Sequence, residues 1–210
     1  MKLYYSPISP FSLKTLTALH EKGVACERQI IDLGAAEARA AYKKKYPLGK
    51  VPLLELDDGY LVPESTIIIE YLDTHFDSGT RLIPADPDDA RRVRFHDRQF
   101  DLYFLDGFGK IFFDARRPEA ERDPRGVKAA KSTLDVMYAY LDGHMQKRTW
   151  VAGADFSMAD CAAAPALAYL RKVYPYDAFK NVVAYAGRLA ERPSFAKAWA
   201  EAVPVLAKLG

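Results

Sequence analysis

Gly49-Lys50-Val51-Pro52-Leu53-Leu54-Glu55-Leu56-Asp57-Asp58-Gly59-Tyr60-Leu61-Val62-Pro63-Glu64-Ser65 is the stretch on which the fold turns. The apolar runs Leu53-Leu54-Glu55-Leu56 and Tyr60-Leu61-Val62 flank Asp57-Asp58-Gly59. A glycine there takes a positive φ at no steric cost, so the segment predicts a β-hairpin. Glu64 or Ser65 then marks a helix start, with Ile68, Ile69 and Leu72 as its apolar side.

Upstream, Leu3-Tyr4-Tyr5 reads as a strand that stops at Ser6 to Pro10, where two prolines restrict the backbone. Leu13, Leu16 and Leu19 recur at helical spacing before the Lys22-Gly23 stop. Cys26 to Ile31 is the next extended candidate, and the Ala-rich Ala35 to Tyr46 returns to helix before Pro47. The resulting order, β-α-β-α-β-β-α, implies a small mixed sheet covered by helices.

Downstream, Asp77 to Pro87 is polar and punctuated by prolines, which places the domain boundary there. Residues 1–78 are expected to form the α/β domain, 79–87 a linker, and 88–210 an all-α domain. Its helices are predicted near 88–114, 126–147, 157–172, 178–191 and 194–208. The clearest helix start is Gly153 to Asp160, where Ser157 is the cap and Asp160 the returning acid of a capping box. Phe156 occupies the staple position, but its partner there, Cys161, is small, so only a weak contact is expected.

Composition excludes several classes. The 210 residues are 50% hydrophobic with a net charge of +2, which suits buried globular domains and not a disordered chain. The first 78 residues carry −2 and the remainder +4, so neither half resembles a nucleic-acid tail. Lys43-Lys44-Lys45 lacks an interleaved aromatic platform and reads as a solvated helix face, giving no nucleic-acid partner. Cys26 and Cys161 make no C-x-x-C motif, and His20, His75, His96 and His144 are dispersed, so no metal is expected. With no apolar run of about 20 residues and no signal core at the start, the expectation is a cytoplasmic protein without membrane partners.

The chemistry-bearing string is Ser9-Pro10-Phe11-Ser12, between the first strand and the first helix. A hydroxyl there can cap the helix, or it can donate to a bound thiolate beside the positive helix end, where the dipole adds about 1 kcal/mol. The two roles fit different serines, with Ser9 facing a ligand and Ser12 satisfying the helix. By position alone, Pro52 is an ordinary strand-start proline, Glu64-Ser65 a helix cap and Lys50 a solvated turn charge.

Taken together, the chain resembles the cytosolic glutathione transferases over almost all of its length, in particular the serine-type, bacterial-like members. The resemblance rests on Gly49 to Leu54, Glu64 to Ile68, and Gly153 to Asp160. It implies a thioredoxin-like first domain, a helical second domain that forms the electrophile pocket, and a homodimer. It also implies that Ser9 activates the thiol of bound glutathione, the cosubstrate. Pro52 would be cis, Val51 would pair with the cysteinyl unit, and Glu64 and Ser65 would grip the γ-glutamyl head, with Lys50 near a carboxylate or peptide group. Phe11 and Ser12 are further candidates. Tyr5 is the rival activator, because a phenol near the end of the first strand also stabilises a thiolate. A period-2 strand would bury one of Tyr4 and Tyr5 and expose the other. Ser9-Pro10-Phe11-Ser12 also looks like a glutaredoxin Cys-Pro-x-Cys segment with both cysteines replaced, which rules out dithiol chemistry there.

In the helical domain, Phe100, Phe104, Phe108 and Phe112 share a face at four-residue spacing, with Tyr103 and Phe113 on adjacent faces. Phe100, Tyr103, Phe104 and Phe108 are the expected electrophile pocket walls. Asp97 and Asp101 read as solvated helix charges, with Asp101 also a candidate for contact with glutathione. The expected activity is attack by the glutathione thiolate on an apolar electrophile. Related isomerisation or dehalogenation, and a noncatalytic ligand-binding or protein-interaction module, are the alternatives.

Overall fold

The computed structural model describes residues 1–208. In the first unit, β1 (Lys2–Tyr5), α1 (Pro10–Lys22), β2 (Glu27–Ile30), α2 (Ala36–Lys45), β3 (Leu53–Glu55), β4 (Leu61–Pro63) and α3 (Ser65–His75) follow the expected order. The sheet runs β2-β1-β3-β4, with β1 parallel to β2 and antiparallel to β3. The hairpin closes with Leu54 opposite Val62, and Gly59 sits at φ 84 in its turn.

Both faces of β1 are covered. Tyr4 packs with Tyr42 of α2, Ile31, Val51 and Leu53. Tyr5 points the other way, and its hydroxyl donates to Glu201 at 2.8 Å. Both tyrosines are buried, so the expectation that alternation would expose one of them is corrected. A sheet with helices on both sides has no solvent face for period 2 to report.

The second unit, Ile83–Arg192, is helical. It contains α4 (Pro87–Gln99), α5 (Asp106–Asp114), α6 (Pro124–Met145), α7 (Met158–Val173) and α8 (Lys180–Glu191). The rod expected over 88–114 is interrupted by a π-helical stretch, Phe100–Leu105, which joins α4 to α5. The division between units falls at Leu82, within the expected linker.

The last helix, α9 (Pro193–Leu206), corrects the expected 88–210 domain, because it packs on α1 in the first unit. Ser194 hydrogen-bonds Glu21, and Glu201 takes both the Tyr5 hydroxyl and the Arg28 guanidinium, the latter at 2.7 Å. These polar partners lie far away in sequence, which is why helical periodicity alone misassigns α9. Residues 209 and 210 of the expected domain lie outside the described residues.

Candidate functional site

α1 begins at Pro10, whose missing amide is no loss at a first helical position. Ser9 is the N-cap, and its Oγ accepts the Ser12 amide at 3.3 Å. This corrects the assignment of capping to Ser12. The Ser12 side chain is buried and its Oγ instead accepts the Ser6 amide at 3.3 Å, tying down the loop that enters the helix. A serine oxygen that accepts one bond keeps its own O–H to donate, so capping leaves Ser9 with a donor for a ligand.

The loop after α2 carries the next group. The Tyr42 hydroxyl donates to the Lys50 carbonyl at 2.9 Å, and the Tyr46 carbonyl accepts the Gly49 amide at 2.8 Å. Gly49 has φ 62, and a Cβ there would meet the Lys43 side chain at 2.9 Å, so this turn requires glycine. The Val51–Pro52 peptide is cis. The sheet pairing begins only at Leu53, leaving Val51 outside the ladder.

Glu64 is the N-cap of α3 and sits at φ 70, a left-handed conformation unusual for glutamate and costing about 1–3 kcal/mol. Its side chain does not cap its own helix, so the carboxylate is available to another partner while the α3 dipole favours an anion. Lys14, buried in α1, donates from Nζ to Thr66 Oγ1 at 2.9 Å and fixes the first turn of α3.

Phe11, Tyr46, Lys50, Val51, Pro52, Glu64 and Ser65 line one cleft. Six of these were expected near the ligand from sequence, and Tyr46 was missed. The cleft contains a cation, an anion, a hydroxyl and an aromatic wall, a set suited to a zwitterionic peptide. Ser9 is not among these lining residues; it lies two positions before Phe11, at the start of α1. Tyr5 lies outside the cleft, and burial with the Glu201 carboxylate pushes its phenol up to about 12. Its proton is committed to Glu201, away from the role of thiol activator.

The expected electrophile walls need correction. Phe100 and Phe104 are each 1% exposed and stack at 4.7 Å, with Phe104 also against Tyr138, while Phe108 is buried against Tyr169. They form the core of the helical unit, and only Tyr103 of the four is substantially exposed. Four-residue spacing shows a shared face but not which side faces inward. Asp97 and Asp101 likewise are buried and not solvated, which places Asp101 within the helical unit's interior. His96 is also buried and packs against His144 at 4.7 Å, and burial pushes its pKa down to about 4. Among the described residues no group of three or more His, Cys, Asp or Glu is placed to hold a metal. No helix among them is long and apolar enough to cross a membrane.

Comparisons with known proteins agree with this architecture. Residues 3–80 match the glutathione S-transferase N-terminal domain and residues 104–193 the glutathione S-transferase C-terminal domain. The chain belongs to the glutathione transferase family and is an enzyme of that class. It is 28% identical to glutathione S-transferase 2 of Saccharomyces cerevisiae, over 94% of this chain and 88% of that one. A glutathione S-transferase from Methylobacillus flagellatus, solved with glutathione bound, superposes with a TM-score of 0.86 at 28% identity, over 94% of this chain and 98% of the other. A second, from Methylobacterium radiotolerans in complex with glutathione sulfonate, gives 0.80 at 28% identity, over 94% and 93%.

Proposed function

We propose that the protein holds glutathione in this cleft, activates its thiol with Ser9, and transfers the sulfur to an apolar electrophile. The observation that carries the reading is the convergence of Phe11, Lys50, Val51, Pro52, Glu64 and Ser65 on one cleft. The Glu64 carboxylate attracts the γ-glutamyl ammonium. The Ser65 hydroxyl and the start of α3 take the adjacent carboxylate, and the Val51 backbone pairs with the cysteinyl unit. The Ser9 O–H donates to the sulfur, stabilising the thiolate beside the start of α1. No protein group becomes covalently attached. Orientation of the two reactants and stabilisation of the thiolate supply the rate gain.

The protein acts as a cytoplasmic homodimer on this reading. Both cysteines are free thiols, consistent with a reducing compartment, and Val136 and Tyr140 of α6 present exposed apolar surface. Light scattering at micromolar concentration should give twice the chain mass; the chain mass alone would remove the dimer.

The activity is tested by following glutathione consumption with a panel of apolar electrophiles, beside calorimetry with glutathione alone. Saturable binding and enzyme-dependent consumption with at least one electrophile are expected. A protein that fails to bind glutathione sinks the reading of the cleft.

Tyr42→Phe checks how the cleft is held. Losing the bond to the Lys50 carbonyl should raise KM for glutathione about fivefold, equivalent to roughly 1 kcal/mol, with kcat little changed. An unchanged KM would mean that the Lys50-Val51 loop holds its position without this bond.

A further inference from the structure

We propose that His96 and His144 form an acid-sensitive latch within the helical unit, closed while both imidazoles are neutral and opened by proton uptake. The pair lies in a part of the molecule that the glutathione reading does not use.

The two rings come from different helices, His96 from α4 and His144 from α6, and their centroids lie 4.7 Å apart. His96 is 6% exposed. Each ring has one nitrogen committed. His144 Nε2 lies 2.7 Å from the Val151 carbonyl, which can only accept, so that nitrogen carries the proton. His96 Nδ1 lies 2.9 Å from Gln99 Oε1 and donates likewise. Phe95 is edge-on to His96, and Tyr140 stacks on His144. The pair thus joins α4, α6 and the Val151 loop, and neutral tautomers are sufficient for every one of these contacts.

Burial is the first obstacle to a second proton on either ring and pushes both pKa values down, that of His96 to about 4. The second obstacle is like charge. Each ring, once charged, opposes charge on the other, and the Arg148 guanidinium acts against both. Arg148 is held at the end of α6, donating to the His144 carbonyl at 2.8 Å. From α8, Arg188 donates to the Thr149 carbonyl at 3.2 Å and brings a further cation to this loop. The carboxylate from α7, Asp160, is bonded to the Val151 amide and not to a ring. Asp97 follows His96 on α4 and so projects about 100° away around the helix. An imidazole in the unfolded chain titrates near 6.5. The contribution of the neutral pair is therefore complete above about 6.5 and is lost as pH falls from there to about 4.

The test compares the full-length parent with His96→Asn and His144→Gln, whose amides keep a donor in place of Nδ1 and Nε2 respectively and do not titrate. Between about pH 7.5 and about pH 5, the parent's unfolding constant from denaturant titration should rise about thirtyfold more than that of His96→Asn. His144→Gln should differ from the parent in the same direction. Amide exchange in residues 93–99 and 144–153 should accelerate more in the parent than in His96→Asn over the same range. Equal pH dependence in the parent and both variants, or equal acceleration of exchange, would overturn the proposal. Titration of the parent's imidazoles by NMR needs no variant. His96 should stay neutral down to about pH 5 in the folded protein, and a midpoint near 6.5 there would overturn the latch as well.

Discussion

Ser9→Ala should lower the turnover of glutathione with an electrophile about 10²- to 10³-fold, the usual effect of removing one preorganised donor from a developing or stabilised anion. Glutathione affinity should change little, because Glu64, Ser65 and Val51 make the contacts proposed to hold the peptide. The loss has a pH signature. A free thiol titrates near 8.5, and a donor on the sulfur lowers that value by favouring the thiolate. Without the hydroxyl the bound thiol's pKa rises, so the thiolate fraction falls at neutral pH and recovers as pH increases. The deficit should therefore be largest in the acid half of the profile and shrink in the alkaline half. Ultraviolet titration of thiolate absorbance in the enzyme–glutathione complex reads the same shift directly.

Ser9 also caps α1, so the variant should lose about 1 kcal/mol of stability. Ser12→Ala separates the two effects. It removes the acceptor for the buried Ser6 amide and should cost stability comparably, yet leave turnover per folded molecule close to the parent. Unchanged turnover in Ser9→Ala, or a deficit constant with pH, would exclude the hydroxyl as the thiol's donor.

The features that proved legible in sequence are local. Asp57-Asp58-Gly59 between two apolar runs specifies its hairpin within a dozen residues, and Ser157 and Asp160 specify a helix start within four. Lys50, Val51, Glu64 and Ser65 were named because the resemblance rests on the short segments that contain them, and all four line one cleft. Residues acting across larger distances left no such trace. Lys14 reaches Thr66 over 52 positions, and the buried Lys22–Asp73 ion pair spans 51, so nothing nearby in sequence distinguishes either lysine from a solvated helix charge. Tyr46 stood at the end of a predicted helix, just before Pro47, where an aromatic reads as packing. The phenylalanine stripe failed for a different reason. Periodicity fixed the face shared by Phe100, Phe104 and Phe108, but burial of that face depends on Tyr138 and Tyr169, which come from other helices.

The second large effect concerns stability. Asp160→Ala should destabilise the protein by about 3–5 kcal/mol, the cost of stranding several buried donors at once, lowering the thermal midpoint by on the order of 10 °C for a chain of this size. Asp160 is 0% exposed, and its carboxylate accepts the Val151 amide at 3.0 Å, the Ser157 amide at 2.9 Å, the Ser157 hydroxyl at 3.0 Å and the Tyr185 hydroxyl at 2.6 Å. One side chain thus satisfies the loop before α7, the cap of α7, and a tyrosine from α8. Alanine strands these donors in the interior, where an unsatisfied group costs about 1–3 kcal/mol. Phe156 packs edge-on against Trp150 at 5.0 Å with the Arg192 guanidinium over its ring, so the polar cluster lies beside an aromatic one. Tyr185→Phe removes one donor of the four and should cost about 1 kcal/mol. In the double variant the two losses should fall short of adding, because they share a bond.

The pH dependence distinguishes burial from hydrogen bonding at this carboxylate. Burial pushes its pKa up, and the four donors only partly oppose that. A folded pKa above the unfolded one means that the protonated acid is the favoured buried form. Its stabilising contribution is complete below the unfolded value and is lost as pH rises through the folded value. Asp160→Asn does not titrate at this position, so the stability gap between parent and variant should widen as pH falls through the folded value. Denaturation midpoints across that range measure it, and a gap that narrows in acid would mean that the four donors outweigh burial and favour the ionised form. Turnover per folded molecule should be unchanged in every Asp160 variant, since the residues proposed to hold and activate the thiol belong to the first unit and Asp160 to the second.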